Sequence, residues 1–81
     1  MGSRNGNFSR GYDIATYLLE GKELGEKRTL KEAAKEFRVS YTTVHLDFYQ
    51  VYCDASAGLC PEPEKALRHF ARAYKYLHPN K

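Results

Sequence analysis

The stretch Arg28–Gln50, RTLKEAAKEFRVSYTTVHLDFYQ, decides the fold. It reads as two short helices joined by a tight turn. Thr29-x-x-Glu32 is a capping box, in which each side chain satisfies a free backbone donor of the first helical turn. Leu30, Ala33, Ala34 and Phe37 then recur at i, i+3, i+4 and i+7, which makes one apolar helical face. The pattern breaks at Arg38-Val39-Ser40, and Ser40 is a good N-cap for a second helix. Val44, Phe48 and Val51 give that helix its own apolar stripe. A small residue at Ala34, where two helices must cross closely, and an apolar Val39 inside the turn complete a helix-turn-helix pattern over residues 29–51. In such a unit the second helix, here 40–52, lies in the DNA major groove.

Working outward, residues 1–10 are rich in Gly, Asn, Ser and Arg and are expected to form a flexible basic arm. Met1-Gly2-Ser3 also has the composition of a tag remnant. Gly11 to Glu20 reads as a first helix, with Ile14, Tyr17 and Leu18 inward and Gly21 as its stop. Lys22 to Lys27 is a charged connector. Tyr52 to Pro63 holds Asp54, Gly58 and two prolines and is expected to be a loop. The last helix is expected over 63–78: Pro63 suits the first helical position, where its missing N–H is harmless, and Pro79 blocks continuation. Leu67, Phe70, Tyr74 and Leu77 are its expected core face, with Lys65, Arg68, Arg72 and Lys75 on another face. A winged helix would need a β-hairpin after residue 52, and CDASAGLCPEP (53–63) does not supply one. The expected fold is therefore all-α: a three-helix core with residues 11–81 as a single domain, a basic amphipathic C-terminal helix, and no wing.

At 81 residues the chain suits one small domain, able to bury about 60% of its unfolded surface. The net charge of +3 is compatible with a nucleic-acid partner without demanding one. Its distribution says more: residues 65–81 contain Lys65, Arg68, Arg72, Lys75 and Lys81 and no acid. The two cysteines, Cys53 and Cys60, are too few for a disulfide scaffold, which points to a reduced cytoplasm. No apolar run approaches membrane-spanning length, and no signal segment opens the chain.

The stretch AAKEFRVSYTTVHLDF (33–48) resembles the bacterial stage III sporulation protein D family of small transcription regulators, which reads close to AKEFGVS followed by STVHKDL. The order of a leading helix, this unit, a proline-bearing loop and a basic last helix fits too, so the resemblance spans roughly Tyr12 to His78. It implies a sequence-specific DNA-binding regulator, acting as a monomer in the nucleoid, with a basic C-terminal region adding contacts. RNA polymerase or another regulator are the protein partners it allows. Three departures stand out. Arg38 occupies the turn where glycine is usual and must accept a left-handed backbone. Tyr41 and Leu46 replace lysines. The chain also ends at Lys81, where family members continue with basic residues. These changes bear on site preference and affinity more than on fold.

The expected base-reading face is Ser40, Tyr41, Thr42, Thr43, His45, Leu46 and Tyr49. Hydroxyls there can bond phosphate or bases, His45 can donate to guanine, and Leu46 can pack on a thymine methyl. Thr29 is a cap and, at a helix N-terminus, a phosphate donor. Arg68, Arg72 and Lys75, with Lys65, are expected to follow the phosphate backbone, although a basic stripe opposite an apolar one is also the ordinary solvated face of a helix. Arg4 and Arg10 could enter the minor groove. Asp47, a poor neighbour for phosphate, is expected to pair with Arg38 or another nearby cation. The bland alternative for Tyr41, Leu46 and Tyr49 is packing against the last helix.

Cys53, Cys60, His69 and His78 match no standard zinc spacing, and no cofactor is expected. His78-Pro79-Asn80 only faintly resembles a co-chaperone signature and has no helix after it. No catalytic constellation or phosphate-cradling glycine loop is visible. The function read from the sequence is therefore DNA binding. The rival is a protein-interaction module that uses the exposed Tyr/Leu face of the same helix.

Overall fold

A computed structural model of the chain describes residues 6–79. Four helices account for it: α1 (Phe8–Leu24), α2 (Leu30–Phe37), α3 (Tyr41–Ala57) and α4 (Pro63–Leu77), with no strand among the described residues. α3 is the central element and packs on all three others. The core is built from Ile14, Ala15 and Leu18 of α1, Ala33 and Ala34 of α2, Val44, Phe48, Val51 and Ala55 of α3, and Ala66, Phe70 and Ala73 of α4. Half-buried Leu30, Phe37 and Val39 pack against it.

The caps expected at Thr29 and Ser40 are formed. Thr29 Oγ1 accepts the Glu32 N–H at 3.2 Å, and Ser40 Oγ accepts the Thr43 N–H at 3.1 Å. The box at Thr29 is only half made, since the returning bond from Thr29 N–H to Glu32 does not occur among the described residues. Arg38 does take the left-handed conformation, at φ 57° and ψ 44°, which turns the chain between α2 and α3.

Three boundaries depart from expectation. α1 starts at Phe8, capped by Asn7, whose side chain accepts the Arg10 N–H at 2.9 Å; residues 8–10 are therefore helix, not arm. Its end lies at Gly25 (φ 72°), past Gly21, which is buried inside the helix. The absent side chain at Gly21 makes room for the Arg28 stem, which would come within 2.5 Å of an added Cβ. α3 runs on to Ala57, so most of the expected loop after Tyr52 is helical. Val51 and Ala55 continue its apolar spacing, and Gly58 is the actual stop. Asp54, which looked like a loop residue, accepts a bond from Gln50 one turn earlier at 2.7 Å.

On α4 the helix begins at Pro63 as expected, and Phe70, Tyr74 and Leu77 of the expected face pack on the core, but Leu67 does not. Ala66, Phe70 and Ala73 are buried, while Leu67 is 37% exposed. Small residues let α4 approach α1 and α3 closely, and that displaces the larger Leu67 to an edge. Its Tyr76 pins the α1–α2 connector: the hydroxyl donates to the Glu26 carbonyl at 2.6 Å and accepts the Arg28 N–H at 2.7 Å.

Candidate nucleic-acid interface

The first turns of α3 present an outer face that no other helix covers. Tyr41, Thr42, His45 and Leu46 are exposed there, with Tyr41 at 52% and Leu46 at 37%. Their side is fixed by the opposite stripe: Val44, Phe48 and Val51 are sealed in the core, which leaves residues 42 and 46 on the outside at about 100° per residue. His45 sits between two aromatic rings, 6.2 Å from Tyr41 and 4.6 Å from Tyr49. Ser40 and Thr43 are engaged with each other, because the Ser40 hydroxyl donates to Thr43 Oγ1 at 2.9 Å.

Tyr49 is not on this face. Its ring packs edge-on against Phe48, Phe70 and Tyr74, which places it at the seam with α4. Burial there pushes its phenol above the ordinary value of 10.0, aided by the neighbouring Tyr74 and Tyr41, so it stays a neutral hydroxyl.

α3 contains no Lys or Arg, and its two acids are turned off the outer face. Asp54 is bound by Gln50. Asp47 is only 1% exposed and faces α1. It does not pair with Arg38: Arg10 forms its ion pair, and the Asn7 N–H donates to its other oxygen at 2.7 Å. A second tie, from Gly6 N–H to Gln50 Oε1 at 3.0 Å, holds the same segment along α3. Arg10 is thus committed to a structural contact and is not an arm residue; Arg4 lies outside the described residues. Nothing in the local sequence announces this pairing, because its partners are 37 residues apart.

A shallow depression of about 410 Å³ beside the face is lined by Thr29, Leu30, Lys31, Tyr41, Leu77 and His78. It brings the start of α2, the start of α3 and the C-terminal end of α4 together. Lys31 is an exposed cation that the sequence reading passed over. Its signal was available, since it sits two residues after the Thr29 cap.

Arg68, Arg72 and Lys75 are all exposed, on the side of α4 opposite Ala66, Phe70 and Ala73. One edge of α4 meets α3 through Tyr74 and Phe70. The other meets α1, where His69 stacks on Tyr12 with centroids 4.2 Å apart. Burial lowers the His69 pKa there, and Arg72 and Lys65, on this α1 side, add to the lowering. Lys65 also pairs with Glu62 at 3.6 Å. The basic stripe is therefore not gathered with Tyr41, Thr42 and Leu46. Only the C-terminal end of α4, at Leu77 and His78, reaches the α2 and α3 starts.

No group of three or more potential metal-ligating side chains occurs among the described residues, and Cys53 and Cys60 are free thiols. No described helix is long and apolar enough to cross a membrane. No protein-family model, curated protein or solved structure matches the chain.

Proposed function

We propose that this chain is a non-enzymatic, sequence-specific DNA-binding regulator of the helix-turn-helix kind, acting as a monomer and placing the start of α3 in the major groove. The carrying observation is that the first turns of α3 stand clear of the other helices, with Tyr41, Thr42, His45 and Leu46 outward, while Asp47 is sequestered against Arg10. A carboxylate left on that face would repel phosphate; sealed against α1 it anchors the helix instead. Thr42 and His45 supply hydrogen-bonding groups for base edges, and Leu46 supplies an apolar contact for a thymine methyl. Thr29 and Lys31 at the start of α2 then meet the backbone on one side of the groove, where a helix N-terminus favours phosphate. Lys75 meets it on the other side. Arg68 and Arg72, further round α4, have no part in this face.

The absence of cations on α3 sets the expected electrostatics. With Lys31, Arg38 and Lys75 as the nearest contributors, the logarithm of affinity should fall with the logarithm of salt at a slope of about −3. Fluorescence anisotropy against duplexes with randomised cores, repeated over a salt series and followed by selection, tests this. Saturable binding with that slope and one enriched sequence supports the reading. No binding even at low salt overturns it.

A further inference from the structure

Between the C-terminal half of α3 and the middle of α4 lies an apolar groove of about 500 Å³. Tyr49 and Tyr52 form one wall, Leu67, Ala71 and Tyr74 the other, and Phe70 the floor. The floor is packed among aromatic rings: the Phe70 ring lies 5.4 Å from Tyr52, 5.5 Å from Tyr49 and 5.8 Å from Tyr74. The walls are open, with Tyr52 49% and Leu67 37% exposed. Apolar surface of this kind, rich in tyrosine, is what partner proteins use as anchoring ground.

The rim says which partner fits. On α4, Arg68 and Lys75 follow directly after Leu67 and Tyr74 and are exposed; neither takes part in an ion pair among the described residues. On α3 the exposed rim positions are Cys53 and Ser56, which carry no charge. The one acid on the α4 rim, Glu64, stands one turn before Arg68, outside the span from Leu67 to Tyr74. A second copy of the chain is disfavoured, since an isologous contact would bring Arg68 and Lys75 of one copy toward those of the other. From Leu67 to Tyr74 the groove extends about 10 Å, two turns of a guest helix.

We propose that this groove seats an acidic amphipathic helix of a partner protein. Its apolar side chains at i, i+3 or i+4, and i+7 enter between Tyr52 and Leu67, and its carboxylates meet Arg68 and Lys75. Tyr52, Leu67 and Ala71 take no part in the proposed DNA face, although Lys75 borders both surfaces, so peptide binding does not depend on DNA binding.

The test is an amide NMR titration of the full chain with three synthetic helical peptides that share their Leu and Phe anchors and differ only in flanking Glu, Gln or Lys. The Glu peptide should shift Tyr52, Leu67, Ala71 and Tyr74 and bind about tenfold more tightly than the Gln peptide, as two ion pairs allow. The Lys peptide should bind most weakly. Arg68→Glu with Lys75→Glu should reverse that order, and Leu67→Glu, at an exposed position, should abolish binding of all three while the spectrum stays folded. Equal affinity for the three peptides would overturn the proposal. So would concentration-dependent groove shifts in the free protein, which would mean a second copy. Loss of DNA binding with peptide binding intact would sink only the nucleic-acid reading.

Discussion

Asp47 and Arg10 form an ion pair with one sealed partner and one wet one: the Asp47 side chain is 2% exposed and that of Arg10 37%. The two are therefore unequal under mutation. Without Arg10, the carboxylate stays buried with the Asn7 N–H as its only other hydrogen-bond donor among the described residues. Without Asp47, the guanidinium simply rehydrates. Arg10→Met should lower the unfolding free energy by about 2–3 kcal/mol, below the range for fully buried pairs because Arg10 is partly solvated. Asp47→Asn, which keeps an acceptor for Asn7, should cost about 1 kcal/mol. Urea denaturation of both variants measures the difference; equal losses would mean that the carboxylate is not isolated by its burial.

Gly11 lies where α1 crosses α3, and an added Cβ would clash with the Asp47 carbonyl oxygen and press on Val51. An exposed helical Gly→Ala change gains about 1 kcal/mol. Here the clash is with backbone, which cannot rotate away, and overpacking costs about 1–3 kcal/mol. Gly11→Ala should therefore be net destabilising in thermal melts, and a raised melting temperature would contradict the close crossing.

Arg38 holds φ at 57° with a side chain that disfavours it. Relief of left-handed strain, about 1–2 kcal/mol, exceeds the extra unfolded-state entropy that glycine brings. Arg38→Gly should thus stabilise the protein by about 0.5–1 kcal/mol, read as a higher urea midpoint with an unchanged slope.

These sites show how much the sequence could reveal. Thr29, Ser40 and the stripes on α2 and α3 act within one or two turns, so local spacing exposes them. The true ends of α1 and α3 do not act locally. Gly21 looks like a stop until Arg28 is seen filling the space beside it. Hydrophobicity ranks Leu67 above Ala66 and Ala73, yet a close helix crossing selects the small residues. Tyr41, Thr42, His45 and Leu46 of α3 follow from its buried stripe, and so were legible, whereas Tyr49 is drawn to the seam by Phe70 and Tyr74. The position of the α4 cations relative to them was not, because it depends on how two helices cross.

Thr42 is exposed in the first turn of α3. A glutamate there is compatible with the helix dipole, so the fold should hold or gain slightly. On the proposed DNA face the same anion would confront phosphate. Thr42→Glu should therefore keep its circular dichroism spectrum and melting temperature but lose duplex binding by anisotropy. A folded variant that still binds would place the contact surface elsewhere.

His69 provides a pH dependence whose sign can be worked out. Its Nε2 lies 2.9 Å from Thr16 Oγ1, and its ring is stacked on Tyr12 at an interplanar angle of 16°. Burial lowers its pKa below the ordinary 6.5; the nearby Tyr12 backbone opposes the shift, and Arg72 and Lys65 add to it. The folded state therefore binds this proton less readily than the unfolded chain. The stability tied to neutral His69 is present above about pH 6.5 and is lost as pH falls toward the depressed folded-state value. Urea midpoints at successive pH values below 7 should decline in the parent protein. In His69→Gln, which keeps a polar group beside Thr16 but cannot titrate, that part of the decline should vanish. Parallel curves for the two proteins would show that the α1–α4 seam tolerates the imidazolium and that acid acts through other groups.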